Sequence, residues 1–343
     1  MPEKIYESPE RHRIHLLVAI LVVIAFIGIV SYACFTSSPP PSSAEPLTIG
    51  MPPLEQSMLI YVAQDQGYFA QNGLNVTVLS RYPNGVVPVH DVLDGRIDCA
   101  VSAEYPVASA ILAGGNLTIL AALDRYQNEE IVARRDRGIA AIPDLRGKRI
   151  GYPQGTIGEF FLGRFLDLNR IGMRNVTLVP VSASSAADAI ASGEIDALAY
   201  WKPITTDAAG RLGQNAGVWP LQSDQLLYGV VSARGDWAAS HPAESRRLLA
   251  ALAKAEDYSL SHPAETKSIV RRWMNGTDPY IGGVWPDHQF GLSLPEPLLT
   301  AMNDEARWMI ANNLTQETTM PDYRLHIETA ALAEVRPDAV NIR

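Results

Sequence analysis

Two phrases, Gly95-Arg96-Ile97-Asp98 and Gly193-Glu194-Ile195-Asp196, stand at matching places in two stretches of the chain, and this repetition restricts the fold more than any other feature. In each, a glycine that can adopt a left-handed conformation closes a predicted helix, and an Ile-Asp pair opens a strand, Cys99 to Val101 or Ala197 to Tyr200. What precedes each phrase also matches. A strand, Leu47 to Gly50, leads through Met51-Pro52-Pro53 to a predicted helix over Ser57 to Phe69. Its counterpart, Arg149 to Gly151, leads through Tyr152-Pro153 to a helix starting at Thr156. Second strands follow, Leu74 to Leu79 and Val176 to Val181. Gly50 lies 48 residues before Asp98, and Gly151 lies 45 before Asp196. The pattern predicts an α/β chain with two βαβαβ lobes. Parallel units carry their ligand loops at the carboxyl ends of the strands, so two such lobes face to face enclose a cleft.

Short apolar strands at Glu130 to Ala133 and Gly229 to Ala233 flank the second half and mark two crossings between lobes. The expected division is therefore 47–132 with 229–343 as lobe 1 and 133–228 as lobe 2. Beyond it the chain reads as helical. Ser240-His241-Pro242-Ala243-Glu244 and Ser261-His262-Pro263-Ala264-Glu265 repeat a helix-start phrase, which assigns His241 and His262 to capping rather than to metal. Gly276 to Pro297 reads as a loop, and Pro297 to Leu314 as a last amphipathic helix with Trp308 in the core.

The stretch Lys148 to Phe161 reads as strand, glycine turn and helix start, with Thr156 as the cap. A helix entered through glycines leaves backbone N–H groups aimed at one point, a seat for an anion or a carbonyl oxygen. Gly155 equally suits an ordinary tight turn, and the turn alone does not separate the two.

With 343 residues, 47% hydrophobic and 19% charged, the chain can bury one large core or two moderate ones. The formal net charge of −9 and the lack of clustered Lys and Arg in the sequence exclude a nucleic-acid partner. Two cysteines, Cys34 and Cys99, both in apolar surroundings, support neither a disulfide framework nor a metal site, and no cofactor is expected.

After a leader at 1–13 that carries Lys4, Arg11 and Arg13, the chain is uncharged from Ile14 to Phe35. That length suffices for a membrane-spanning helix, about 20 residues for roughly 30 Å of hydrocarbon. Ser31 and Ala33 also place small residues before Cys34, so a retained anchor, a lipidated Cys34 and a cleaved secretion signal all remain open. In each case the basic leader stays inside and the bulk of the protein lies outside the cytoplasm, with the membrane as a partner of this segment. Residues 36–46, Pro- and Ser-rich, read as a spacer. Asn-x-Thr triplets at Asn75, Asn116, Asn175, Asn275 and Asn313 are candidate N-glycosylation sites; the same triplets also suit turn edges.

Gly67-Tyr68-Phe69 with Gly73-Leu74-Asn75-Val76, the Gly95 to Asp98 phrase, Asp144 to Arg149, Gly155-Thr156, Ser192 to Ala197 and His241-Pro242 together resemble the nitrate, sulfonate and taurine group of solute-binding proteins. The likeness runs from about Leu47 to the end. It implies a two-lobed type II periplasmic-binding-protein fold with a ligand cleft and two hinge crossings. It also implies a monomer that delivers a small-molecule solute to the permease and ATPase of an ABC importer. Carried onto this chain, the ligand positions are Met51, Pro53 and Leu54 in one loop, then Ser102, Glu104 and Tyr105, then Gly155, Thr156 and Ile157, and finally Trp201 and Lys202. Thr156 and Ser102 would meet a polar edge, while Tyr105 and Trp201 would wall the cleft or pack the lobes together. An acid at Glu104 would repel a bare anion. It favours an amino-sulfonate, a zwitterion or a nitrogen heterocycle over nitrate. Two rival readings are a membrane-tethered sensor and an enzyme similar to the pyrimidine synthase that this family resembles, for which Cys99 and His90 offer little chemistry.

Overall fold

The computed structural model of the protein describes residues 44–223 and 225–342. The apolar run 14–35, Cys34 and the Pro/Ser spacer up to residue 43 lie outside the described residues. Among those described, no helix is long and apolar enough to cross a membrane.

Among the described residues, eleven strands form two sheets. In the first, β1 (Glu45–Gly50), β2 (Leu74–Leu79), β3 (Cys99–Ala103) and β4 (Leu117–Tyr126) are joined by two strands from late in the chain, β10 (Leu227–Arg234) and β11 (His288–Ser293). Their order is β11-β4-β10-β3-β1-β2. The second holds β5 (Glu129–Arg134), β6 (Arg149–Tyr152), β7 (Thr177–Pro180), β8 (Ala197–Trp201) and β9 (Ala216–Pro220), in the order β7-β6-β8-β5-β9. In each sheet the repeated strands are parallel, β2-β1-β3 and β7-β6-β8, and an antiparallel strand, β10 or β5, lies against the last of them.

The repeated phrases have one stereochemical role. Asp98 accepts the Thr48 N–H at 2.7 Å and Asp196 accepts the Arg149 N–H at 3.0 Å. Each carboxylate thus pairs a main-chain donor of the neighbouring parallel strand. The isoleucine before it packs where a glycine leaves room. A Cβ on Gly50 would lie 2.5 Å from Ile97 Cδ1, and one on Gly151 would lie 2.4 Å from Ile195 Cδ1. Gly95 and Gly193 take φ values of +69° and +82°, the left-handed helix ends expected of them.

The chain passes between sheets through Gln127-Asn128 and through residues 221–226. The first passage comes earlier than the sequence reading puts it, because Glu129 to Val132 already pair within the second sheet, in register with Trp201 to Leu198. A second correction concerns Gly276 to Pro297. That stretch contains a helix, Asp278–Val284, and the edge strand β11, whose six residues alternate too weakly to announce a strand. His241 and His262 stand at helix junctions, and neither side chain caps the helix that follows it, although His241 Nδ1 meets the Trp237 carbonyl of the preceding helix at 2.9 Å. Instead each ring stacks on the aromatic residue four positions earlier, Trp237 at 5.0 Å and Tyr258 at 4.4 Å between centroids. All five sequon asparagines are solvent-exposed.

Candidate functional site

The loops at the carboxyl ends of β1, β2, β3, β6 and β8 converge on one narrow cavity of about 40 Å³ between the two sheets. Leu54 and Gln56 come from the loop after β1. Asn84 and Gly85 follow β2, and Ala103 and Pro106 sit at the start of the helix after β3. Tyr126, Asn128 and Glu129 line it from the first passage between sheets, Thr156 and Ile157 from the glycine turn, and Trp201 from the end of β8. Gly85 is required by close approach, since a Cβ there would lie 2.6 Å from Ser102 Cβ.

Of the residues expected to hold ligand, Leu54, Thr156, Ile157 and Trp201 line this cavity. The others lie elsewhere. Met51 is wholly buried in the core and Pro53 is half-buried beside the cavity loop. Ser102 is also buried, its hydroxyl donating to the Ala103 carbonyl at 2.8 Å. Tyr105 packs its ring on Phe160 at 6.2 Å.

Glu104 corrects the ligand argument drawn from sequence. It points into the core, where Oε2 accepts the Tyr228 N–H at 3.1 Å and the carboxyl meets that of Glu305. Burial pushes both acids up, as two carboxyl groups without a cation must share protons to stay inside. Lys202 does not line the cavity either. Its ammonium pairs with Asp287 at 2.7 Å and with Glu130 at 3.6 Å, and these acids outweigh burial and hold its pKa up.

The glycine turn is a finished helix cap. Gly155, at φ +75°, donates its N–H to Glu159 Oε2 at 2.8 Å. The Thr156 hydroxyl accepts the Gly158 N–H at 3.3 Å and donates to the Pro153 carbonyl at 2.8 Å. The Thr156 N–H goes to the same carbonyl at 3.3 Å. Donors that sequence reasoning reserved for an anion are thus used inside the protein, taken by the Glu159 carboxylate, the Thr156 hydroxyl and the Pro153 carbonyl. The signal was present in Glu159, three residues after Thr156.

Glu129 was not singled out in the sequence. Only 3% exposed, it has one carboxylate oxygen, Oε2, without a hydrogen-bond partner, and Asn128 likewise keeps Oδ1 unpartnered. Burial, with Glu130 next to it, pushes the Glu129 carboxyl up to about 8. Its sequence signal was two acids, Glu129-Glu130, opening an otherwise apolar strand. The backbone here is pinned by Gln222, whose Oε1 accepts the Asn128 and Glu129 N–H groups at 2.7 and 2.9 Å. Tyr126 is fixed by its hydroxyl hydrogen bond to Gln56 and by stacking on His288 at 4.8 Å, which pairs with Asp124 at 2.5 Å.

The family model described as NMT1/THI5 like matches residues 55–266, more than half of the chain. A Brucella abortus protein, provisionally named as a binding protein, is 27% identical over 203 residues, 57% of this chain and 60% of its own length. The chain thus spans less than two thirds of that relative. The 4-amino-5-hydroxymethyl-2-methylpyrimidine phosphate synthase of Schizosaccharomyces pombe is 28% identical over 140 residues, 40% of this chain and 39% of that one. Among solved structures, the periplasmic aliphatic sulphonate binding protein SsuA of Escherichia coli superimposes with a TM-score of 0.69 at 19% identity. It covers 83% of this chain and 98% of its own.

Proposed function

Because the chain belongs to the NMT1/THI5-like family and has the two-lobed α/β fold of periplasmic binding proteins, we propose that it is an extracytoplasmic solute-binding protein. In this reading it captures one small organic solute between its lobes and hands it to the permease and ATPase of an ABC importer. The observation that carries the reading is the cavity itself, formed where the strand ends of both sheets meet and walled by Tyr126 and Trp201. Two thin passages join the sheets, which lets ligand select a closed arrangement of rigid lobes.

The lining favours binding over catalysis. Glu129 is its single side chain with a carboxylate, and none of the lining residues is a histidine or cysteine. Cys99 lies wholly buried in β3, where burial pushes its thiol well up, away from a reactive thiolate. A thermal-shift screen of small organic anions, cations and zwitterions tests the capture step. A bound solute should raise Tm and reduce the radius of gyration in solution scattering, and a screen in which no compound does either counts against the reading. Delivery is tested by uptake of the identified labelled solute in cells lacking the protein, and unchanged uptake would favour a tethered sensor.

A further inference from the structure

The formal net charge of −9 hides a local excess of the opposite sign, which corrects the sequence reading of Lys and Arg as unclustered. Six basic residues and only two acids stand among the 16 residues from Arg134 to Arg149. The fold gathers them on one edge of the second sheet. β5 ends there at Arg134, and β6, β7 and β8 begin there at Arg149, Thr177 and Ala197, with Ala133 in register with Ala197 and Arg149 with Thr177. This edge is remote from the cleft, which receives the carboxyl ends of β6 and β8. Contacts tie the basic groups together. Lys148 Nζ donates to the Arg137 carbonyl at 2.7 Å, and the Arg146 guanidinium donates to the Arg170 carbonyl. The Gly147 N–H donates to the carbonyl of Asn175, beside Arg174, at 2.7 Å.

Part of this charge is internal to the fold. Arg134 pairs with Asp136 at 2.7 Å and donates to the Ile190 carbonyl at 2.8 Å, while Arg149 pairs with Asp196 at 2.8 Å. Among the described residues, Arg135, Arg137, Arg146, Lys148, Arg170 and Arg174 form no ion pair. The acids set into the same edge outside those pairs, Asp144, Asp167 and Glu194, are half as many. Leu168, 58% exposed at the end of the helix Ile157–Leu168, stands two residues before Arg170. We propose that this outer edge of lobe 2 docks on anionic lipid headgroups, with Leu168 entering the headgroup layer. Cations around an exposed apolar side chain are the chemistry that an anionic bilayer attracts. The uncharged run 14–35 would bring the chain to such a bilayer. The remainder of the chain is net acidic and is repelled by the same surface, so this edge approaches first. Docked in this way, lobe 2 keeps the cleft at the far end of its strands, open to solute. The surface is separate from the cleft, and the inference does not depend on which solute the cleft takes.

The test is hydrogen exchange, read by mass spectrometry, on the full chain with vesicles of phosphatidylcholine alone and with vesicles in which phosphatidylglycerol is about one third of the lipid. Any entry of the apolar run 14–35 into lipid is common to both, so a difference between them reports the outer edge. We expect amides in 135–148 and 168–175 to exchange at least about threefold more slowly on the anionic vesicles. The slowing should vanish at about 1 M salt, where the screening length falls to about 3 Å. The double variant Arg135→Glu with Arg174→Glu changes two side chains that make no hydrogen bond among the described residues. It should lose the effect, with an unchanged Tm showing that it is folded. Equal exchange on both vesicle types, slowing confined to other segments, or slowing that persists in the folded variant overturns the inference. Slowing of the same amides by a double-stranded DNA oligomer, as strong as that by the anionic vesicles, also overturns it, because the edge then meets any polyanion.

Discussion

Two isoleucine-glycine contacts show how single residues carry the repeat. Gly50 ends its strand and Gly151 stands next to last in its own, both without a side chain because Ile97 and Ile195 already occupy the space. Gly151→Ala should therefore overpack the second sheet and cost about 1–3 kcal/mol, read as a lower urea midpoint. Ile195→Val in the same chain removes the methyl in the way and should recover part of the loss. An alanine variant as stable as the parent would show that the strand yields more easily than this packing allows. A similar close fit occurs at Gly163, where a Cβ would lie 2.3 Å from the Trp308 ring. Trp308 in turn meets the edge of Phe160, so this glycine sets how near two helices come.

At the scale of elements, the helices Glu104–Leu112 and Glu296–Ala311 are joined by the buried carboxyl pair Glu104 and Glu305. Both acids keep their protons in the folded state to higher pH than in the unfolded chain. The native state therefore binds more protons across that interval, and its stability falls as pH rises, by up to about 1.4 kcal/mol per pH unit for each full proton. Tm should drop between pH 6 and 9, Glu129 adding to the same trend. Glu305→Gln should make the decline shallower, and an identical slope in that variant would locate the titration elsewhere. In the sequence, Glu104 stood at the end of a strand whose loop faces the cleft, but a helix begins at that residue and turns its side chain toward the second helix.

For the whole molecule, the ion pair of Lys202 and Asp287 ties the end of β8 in one sheet to the residue before β11 in the other. Both side chains are about a quarter exposed, 22% and 27%, so the pair is a modest latch. Lys202→Gln should loosen the closed arrangement. Ligand affinity should fall about two- to fivefold, the equivalent of about 0.5–1 kcal/mol. Solution scattering of the variant should show a larger radius of gyration at low salt. Unchanged affinity and radius would remove this pair from the closure.

The two-lobed plan was legible in the chain because it rests on local chemistry. Glycines that allow left-handed helix ends, Ile-Asp strand starts and the Thr156 cap act within a few residues, so their roles can be read from spacing. Much of the cavity was not legible. Which end-of-strand residues face ligand depends on where the chain leaves one sheet for the other, and that is decided by the pairing of Glu129 with Trp201 across 72 positions of sequence. The same pairing turns Glu129 into the wall. Glu104, with an equal claim by position, is drawn instead into the core by Glu305, which stands about 200 residues later. By itself the sequence determined two lobes and a cleft between their strand ends. Only the tertiary structure decided which acid the cleft contains, since burial and the absence of a neighbouring cation are properties of contacts that spacing along the chain does not encode.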